Sequence, residues 1–184
     1  MRPVVAAFFA LATAGAGAAA DPAPIDTAQL AVAVGGSAFA DGTLRGLPAS
    51  VAVGTRIPGR ALWWHATIAY GPTTVDPGDG MVTDGRGGEI RTGPRVLRCG
   101  TRGYVCGAAS AELGAGFASG DGRRHHDLVV DTRVHLVIGF DRAATIGLDL
   151  DLGVRGRVPI TGDTSASGGA TPGVVAGVSL FVRR

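Results

Sequence analysis

A histidine beside a serine and a carboxylate is the set that turns a hydroxyl into a nucleophile. The sequence holds one such grouping, His125, His126 and Asp127, with Ser119 shortly before them. Their spacing sets no nucleophile against a base, and Gly120 to Arg124, just upstream, reads as a solvated polar loop. No enzymatic activity and no cofactor are therefore expected. The stretch from Gly71 to Gly88 carries Asp76, Asp79 and Asp84 among glycines and threonines. That composition suits Ca²⁺, but the spacing departs from an EF-hand, so a flexible loop without metal is expected. Cys99 and Cys106 flank a turn in a chain that opens like an exported protein, and a disulfide is their natural assignment. No further cysteine or histidine pair completes a tetrahedral metal set around them.

A larger set of charges needs a different explanation. Arg56, His65, Arg91, Arg95, Glu112, Asp131, Arg133, His135, Asp149, Asp151 and Arg155 recur at alternate positions within apolar stretches. The pattern is clearest from Leu128 to Arg155. There Leu128, Val130, Val134, Leu136, Ile138 and Phe140 share one face, and Asp127, Asp131, Arg133, His135 and Gly139 share the other. The next run repeats this, with Ile146, Leu148, Leu150, Leu152 and Val154 opposed to Gly147, Asp149, Asp151, Gly153 and Arg155. A period of two marks strands with one apolar and one polar face, and both runs exceed the usual length of a soluble strand. A narrow charged face flecked with glycine suits the inside of a small barrel whose outside meets lipid. The fold class expected is all-β, an eight-stranded antiparallel up-and-down transmembrane barrel, with the charges forming an interior network that fills it.

The address agrees. Residues 1–20 read as a Sec-type signal peptide, with a basic head, an apolar core too short to span a bilayer and Ala18-Ala19-Ala20 before Asp21. Residues 21–184 then form the barrel domain. A formal net charge of +2 argues against a nucleic-acid partner.

Turn residues divide the chain into eight strands at about 29–39, 49–57, 60–71, 89–99, 104–119, 127–140, 144–158 and 172–183. The gaps alternate long and short, as in barrels with long extracellular loops and short periplasmic turns. Parity tests the hairpins, because opposed residues point to the same side. A two-residue turn at Pro58-Gly59 sets Arg56 opposite Ala61, Gly54 opposite Trp63 and Ala52 opposite His65, leaving Val51, Val53, Leu62, Trp64, Ile68 and Tyr70 facing lipid. Around Arg102-Gly103, Cys99 pairs with Cys106. In the hairpin after β-run 127–140, a three-residue connection, Asp141-Arg142-Ala143, sets His135 opposite Asp149 and Arg133 opposite Asp151. A five-residue one instead opposes His135 with Asp151 and Asp131 with Arg155, and the shorter is preferred as the commoner loop. Phe39, Trp63, Trp64, Tyr70, Tyr104, Phe117, Phe140 and Phe181 fall at or near strand ends, where aromatic girdles form.

On these features the chain after residue 20 resembles the small eight-stranded outer-membrane barrels of the OmpA and OmpX type. The resemblance implies a closed barrel in the bacterial outer membrane, both termini in the periplasm and surface loops that vary. Members commonly end in phenylalanine, whereas here Phe181 is followed by Val182-Arg183-Arg184. The function expected is structural or surface interaction with no open pore. The partners expected are outer-membrane lipid, lipopolysaccharide and the barrel-assembly machinery, and the state a monomer. The alternatives are a soluble exported lipocalin-like barrel around a small apolar ligand, a small porin, or a lipid A-modifying acyl hydrolase or transferase.

Overall fold

The alternation in residues 128–155 is realised as two antiparallel strands, and the pattern continues around a closed sheet. This computed structural model describes residues 29–41, 44–75, 82–100, 104–120, 123–141, 144–162 and 171–184. Its strands are β1 (Leu30–Asp41), β2 (Leu44–Gly46), β3 (Ala49–Arg56), β4 (Leu62–Val75), β5 (Thr83–Cys99), β6 (Val105–Gly120), β7 (Arg123–Gly139), β8 (Ile146–Gly162) and β9 (Thr171–Arg183). From β3 onward each pairs antiparallel with the next, and β9 pairs with β1 to close the sheet. Both β2 and β3 lie between β1 and β4, so together they make one stave, and the barrel has eight. The interruption falls at Leu47-Pro48, where proline has no N–H for a ladder. The neighbouring staves bridge it: Ser37 donates its N–H to the Pro48 carbonyl at 3.0 Å, and Leu47 donates to Pro72 at 3.1 Å.

The polarity of the wall is inverted relative to a water-soluble core. Leu152 and Ile68 on the outer face are 57% and 61% exposed, while Asp131 and Arg155 inside are 0% exposed. Apolar residues cover the outside and ionised ones the inside, the arrangement of a transmembrane barrel.

Strand lengths correct the expected loops. The strands β5, β7 and β8 each run for 17 residues, well beyond the roughly 9–11 that cross a bilayer. Much of 40–48, 72–88, 120–126 and 159–171, read as loop, is therefore strand. The glycines that suggested loops serve close strand approach instead: a Cβ at Gly85 would lie 2.0 Å from the Ser119 carbonyl oxygen, and one at Gly87 2.8 Å from that of Phe117. Asp84 is a strand residue accepting the Thr74 hydroxyl at 3.2 Å, while Asp76 and Asp79 lie outside the described residues, as does the signal peptide.

Two hairpin registers also differ. Ile57 donates its N–H to Leu62 at 2.9 Å and Arg60 to Ile57 at 3.2 Å, which makes a four-residue turn with Gly59 at φ +69°. Arg56 therefore faces Trp63, and Gly54 faces His65. The slip is by two residues, so each side chain keeps its face. The Cys99–Cys106 pairing stands as expected. Between β7 and β8 the five-residue connection is adopted: Phe140 donates to Ile146 at 2.8 Å, His135 lies opposite Asp151, and Asp131 lies opposite Arg155. The longer turn supplies its own bonds. The Asp141 carboxylate accepts the Thr145 N–H at 2.7 Å and the Thr145 hydroxyl, and Ala144 takes φ 49°.

Candidate functional site

Inward parity on six staves brings the charges together. Asp131 on β7 is the centre. Arg155 on β8 grips it with Nε and Nη2, both at 2.8 Å, Arg133 reaches it at 2.6 Å, and Arg91 comes from β5. Arg155 then spans the lumen to Glu89, with Nη2 at 2.9 Å and Nη1 at 3.0 Å. Arg91 continues to Glu112 at 3.0 Å, whose other oxygen accepts His65 Nε2 at 2.9 Å. Bidentate guanidinium–carboxylate pairs of this kind combine energy with fixed geometry. Arg133 also donates to Asp151 at 2.8 Å, and His135 Nδ1 meets Asp149 at 3.1 Å. These last pairs are the ones expected from sequence, but they form diagonally, one step away from the directly opposed partners. Arg95 reaches Asp149 at 2.7 Å.

Arg56 does not join this network, contrary to expectation. Its Nε donates to the Arg60 carbonyl at 3.0 Å instead, because it is the last residue of β3, beside the turn that follows. Four members were not anticipated. Glu89 takes Arg155 and Arg91, while Arg157 contacts Asp41 at 2.5 Å, Asp127 at 3.1 Å and Glu89 at 3.3 Å. Each continues the inward parity of a residue already identified, such as Arg157 two places after Arg155. Glu89, Asp127 and Arg157 fall on the inward faces of the expected strands 89–99, 127–140 and 144–158, so parity alone reaches them, and only Asp41 lies beyond an expected strand end, at residue 39.

Parity also divides the aromatics. Trp64, Tyr70, Phe117 and Phe140 are exposed on the outside, and Trp64 donates its indole N–H to Thr92 at 2.9 Å on that same face. Tyr70 and Phe117 lie 6.5 Å apart as neighbours in the outer belt, and Tyr104 lies just before β6, half-buried. Phe39, Trp63 and Phe181, expected in the girdle, point inward and are buried. The cause is cation–π packing: the guanidiniums of Arg155 and Arg157 each lie 4.7 Å from the Phe39 ring, and Arg183 lies over Phe181 at 4.5 Å and Trp63 at 5.6 Å.

The grouping near residue 125 does not assemble into a catalytic set. His126 faces outward, Asp127 faces inward onto Arg157, and the Ser119 hydroxyl donates to the Arg86 carbonyl at 3.3 Å. A serine–histidine–aspartate relay does occur elsewhere: Ser110 Oγ is 2.9 Å from His135 Nε2, and His135 Nδ1 is on Asp149. Ser110 is buried against the lumen wall, with its hydroxyl tied to His135, so the relay links β6, β7 and β8. Cys99 and Cys106 form a disulfide, their Cα atoms 3.9 Å apart, and Cys106 packs on Val137 and Phe181.

No protein-family model matches this sequence. No curated protein matches it either. Among solved structures, the Neisserial surface protein A (NspA) is similar with a TM-score of 0.54 at 14% identity, over 85% of this chain and 95% of that one. Ail, the attachment invasion locus protein of Yersinia pestis, gives a TM-score of 0.36 at 10% identity over 84% and 97%. The likeness to NspA is one of fold, and the chain is an all-β protein closed as an eight-stave antiparallel barrel.

Proposed function

We propose that this chain is an integral protein of the bacterial outer membrane with a structural or surface-interaction role, whose lumen is closed to ion flow. The observation that carries this is the inverted polarity of the wall: Leu152 lies exposed outside while Asp131 and Arg155 are sealed inside. The bonds from Arg155 to Glu89 and from Arg157 to Asp41 cross the lumen between strands that are not neighbours. A barrel of eight staves has an interior that side chains can fill. Export by a Sec signal, insertion by the barrel-assembly machinery and contact with lipopolysaccharide belong to the same reading, as does a monomeric state. The extension of β5, β7 and β8 past bilayer length supports a role outside the membrane, because it carries the connections clear of the lipid. NspA is by its name a surface protein, which fits.

The test is fractionation followed by electrophysiology. The mature chain is expected in the detergent-soluble outer-membrane fraction, and the purified barrel is expected to give no large stable conductance in planar bilayers. Recovery from the soluble periplasm without detergent would overturn the membrane reading. Steady open channels would overturn the closed lumen alone.

A further inference from the structure

Arg91, Arg95, Arg133, Arg155 and Arg157 each reach a carboxylate inside the barrel. Arg183 and Arg56 do not, and both belong to the end where β1 begins and β9 finishes, where Arg184 pairs with Leu30 and Arg56 with Gln29. Arg56 is buried and directs its Nε to a carbonyl. The Arg183 guanidinium lies 4.5 Å from the Phe181 ring and 5.6 Å from the Trp63 ring, and among the described residues no aspartate or glutamate oxygen comes within 4.0 Å of it. A cation drawn out of bulk water without a counter-charge is unfavourable.

A cavity of about 70 Å³ lies beside Arg183. Small residues, Ala31, Ala33 and Gly54, form one wall, and Trp63 and Phe181 contribute another. Its charged groups are Arg183, Arg95 and Asp149, with His65. Asp149 is already engaged by Arg95 and His135, so two arginines face one shared carboxylate and the cavity combines apolar walls with an excess of positive charge. A guanidinium presents paired donors that match a carboxylate or phosphate, and the aromatic rings hold it in place while leaving its edge available.

We propose that this end of the lumen binds a small oxyanion, a carboxylate or phosphate, on the Arg183 guanidinium with Arg95 nearby, and that a short apolar body on the anion packs against Trp63 and Phe181. The volume is about half that of a cavity of about 150 Å³ that holds a benzene ring, which suits a body of a few carbon atoms. The inference goes beyond the membrane role and requires only the barrel itself.

The test uses the mature chain folded in detergent micelles with Trp64→Phe, which leaves Trp63 as the reporting tryptophan. Sodium butyrate and, separately, sodium phosphate are titrated at constant ionic strength while Trp63 fluorescence is followed. At least one is expected to give a saturable change with a dissociation constant of about 1 mM or tighter. Arg183→Gln in that background is expected to weaken binding at least about tenfold, as loss of a charge-assisted hydrogen bond does. Arg98→Gln, at an exposed arginine on the outer face, is expected to leave it unchanged. Amide chemical shifts of the unsubstituted barrel give a second readout that does not depend on a variant folding, with saturable shifts expected at Ala33 and Gly54. Butyrate binding alone would assign a carboxylate and phosphate binding alone a phosphate. No saturable response to either anion, shifts away from this end, or equal weakening by Arg183→Gln and Arg98→Gln would overturn the proposal.

Discussion

Arg155 has no exposed surface and binds two carboxylates from different staves, Asp131 through two bonds and Glu89 through two more. Removing one partner of a buried ion cluster leaves the rest desolvated and unpaired, at a cost of about 3–5 kcal/mol. Arg155→Ala is expected to lose that much in equilibrium urea unfolding of the barrel in lipid vesicles, and a loss below about 1 kcal/mol would show that water compensates Asp131 and Glu89. Arg45, exposed on the outer face of β2, provides the control, with a change within about 0.5 kcal/mol on replacement by alanine. The disulfide works at a shorter range. Cys99 and Cys106 close a loop with a sequence separation of 7, for which loop entropy allows no more than about 2.5 kcal/mol. Reduction is therefore expected to lower stability without unfolding the barrel, as read by circular dichroism with and without reductant. At this scale most of the site was legible. Arg133, Asp131 and Asp149 declare themselves because a charge at every second position of an apolar run has only one dry place to go. Phe39 did not, since nothing local distinguishes an aromatic that shields lipid from one that packs against two guanidiniums arriving from β8.

Strand faces were legible for a related reason. The side-chain period is two, and a register error of two residues, such as the one at Arg56 and Trp63, exchanges partners without turning any side chain outward. Turn length is less legible because it depends on bonds within the turn. At 141–145 the common three-residue loop loses to a five-residue one in which Asp141 binds both the N–H and the hydroxyl of Thr145. The Thr145 hydroxyl, with the backbone N–H, holds the exposed Asp141 carboxyl below the usual range. That contribution is present at neutral pH and is lost as pH falls through the lowered value. The register itself is open to direct test. Strong cross-strand Hα–Hα nuclear Overhauser contacts are expected between His135 and Asp151, whose Cα atoms are directly opposed with the roughly 4.5 Å Cα separation of a non-hydrogen-bonded pair. Contacts between His135 and Asp149 in their place would restore the three-residue turn. The strand ends at 85–88 and 159–162 were misjudged for a physical reason too: glycine permits a turn and equally permits two backbones to approach, and only the partner strand decides between them.

For the whole molecule, the decisive question is which solvent the outer face meets, because the same eight staves in water would place Leu113, Leu136 and Leu152 at a cost. Burying the ion network explains the inside. It does not explain why so many large apolar side chains cover the outside, unless lipid receives them. Leu152 stands near the middle of β8 and is 57% exposed, flanked on the same face by Leu150 and Val154. An arginine there would lie near the bilayer midplane, where such a charge costs about 2–4 kcal/mol. On a soluble barrel the same exposed substitution would change stability by no more than about 0.5 kcal/mol, and removing an apolar side chain from water could even help. Leu152→Arg is therefore expected to lower the unfolding free energy in phospholipid vesicles by about 2–4 kcal/mol, while the register contacts between His135 and Asp151 persist in whatever fraction folds. A change within about 0.5 kcal/mol in those vesicles would put the outer face of β8 in water, and with it the barrel.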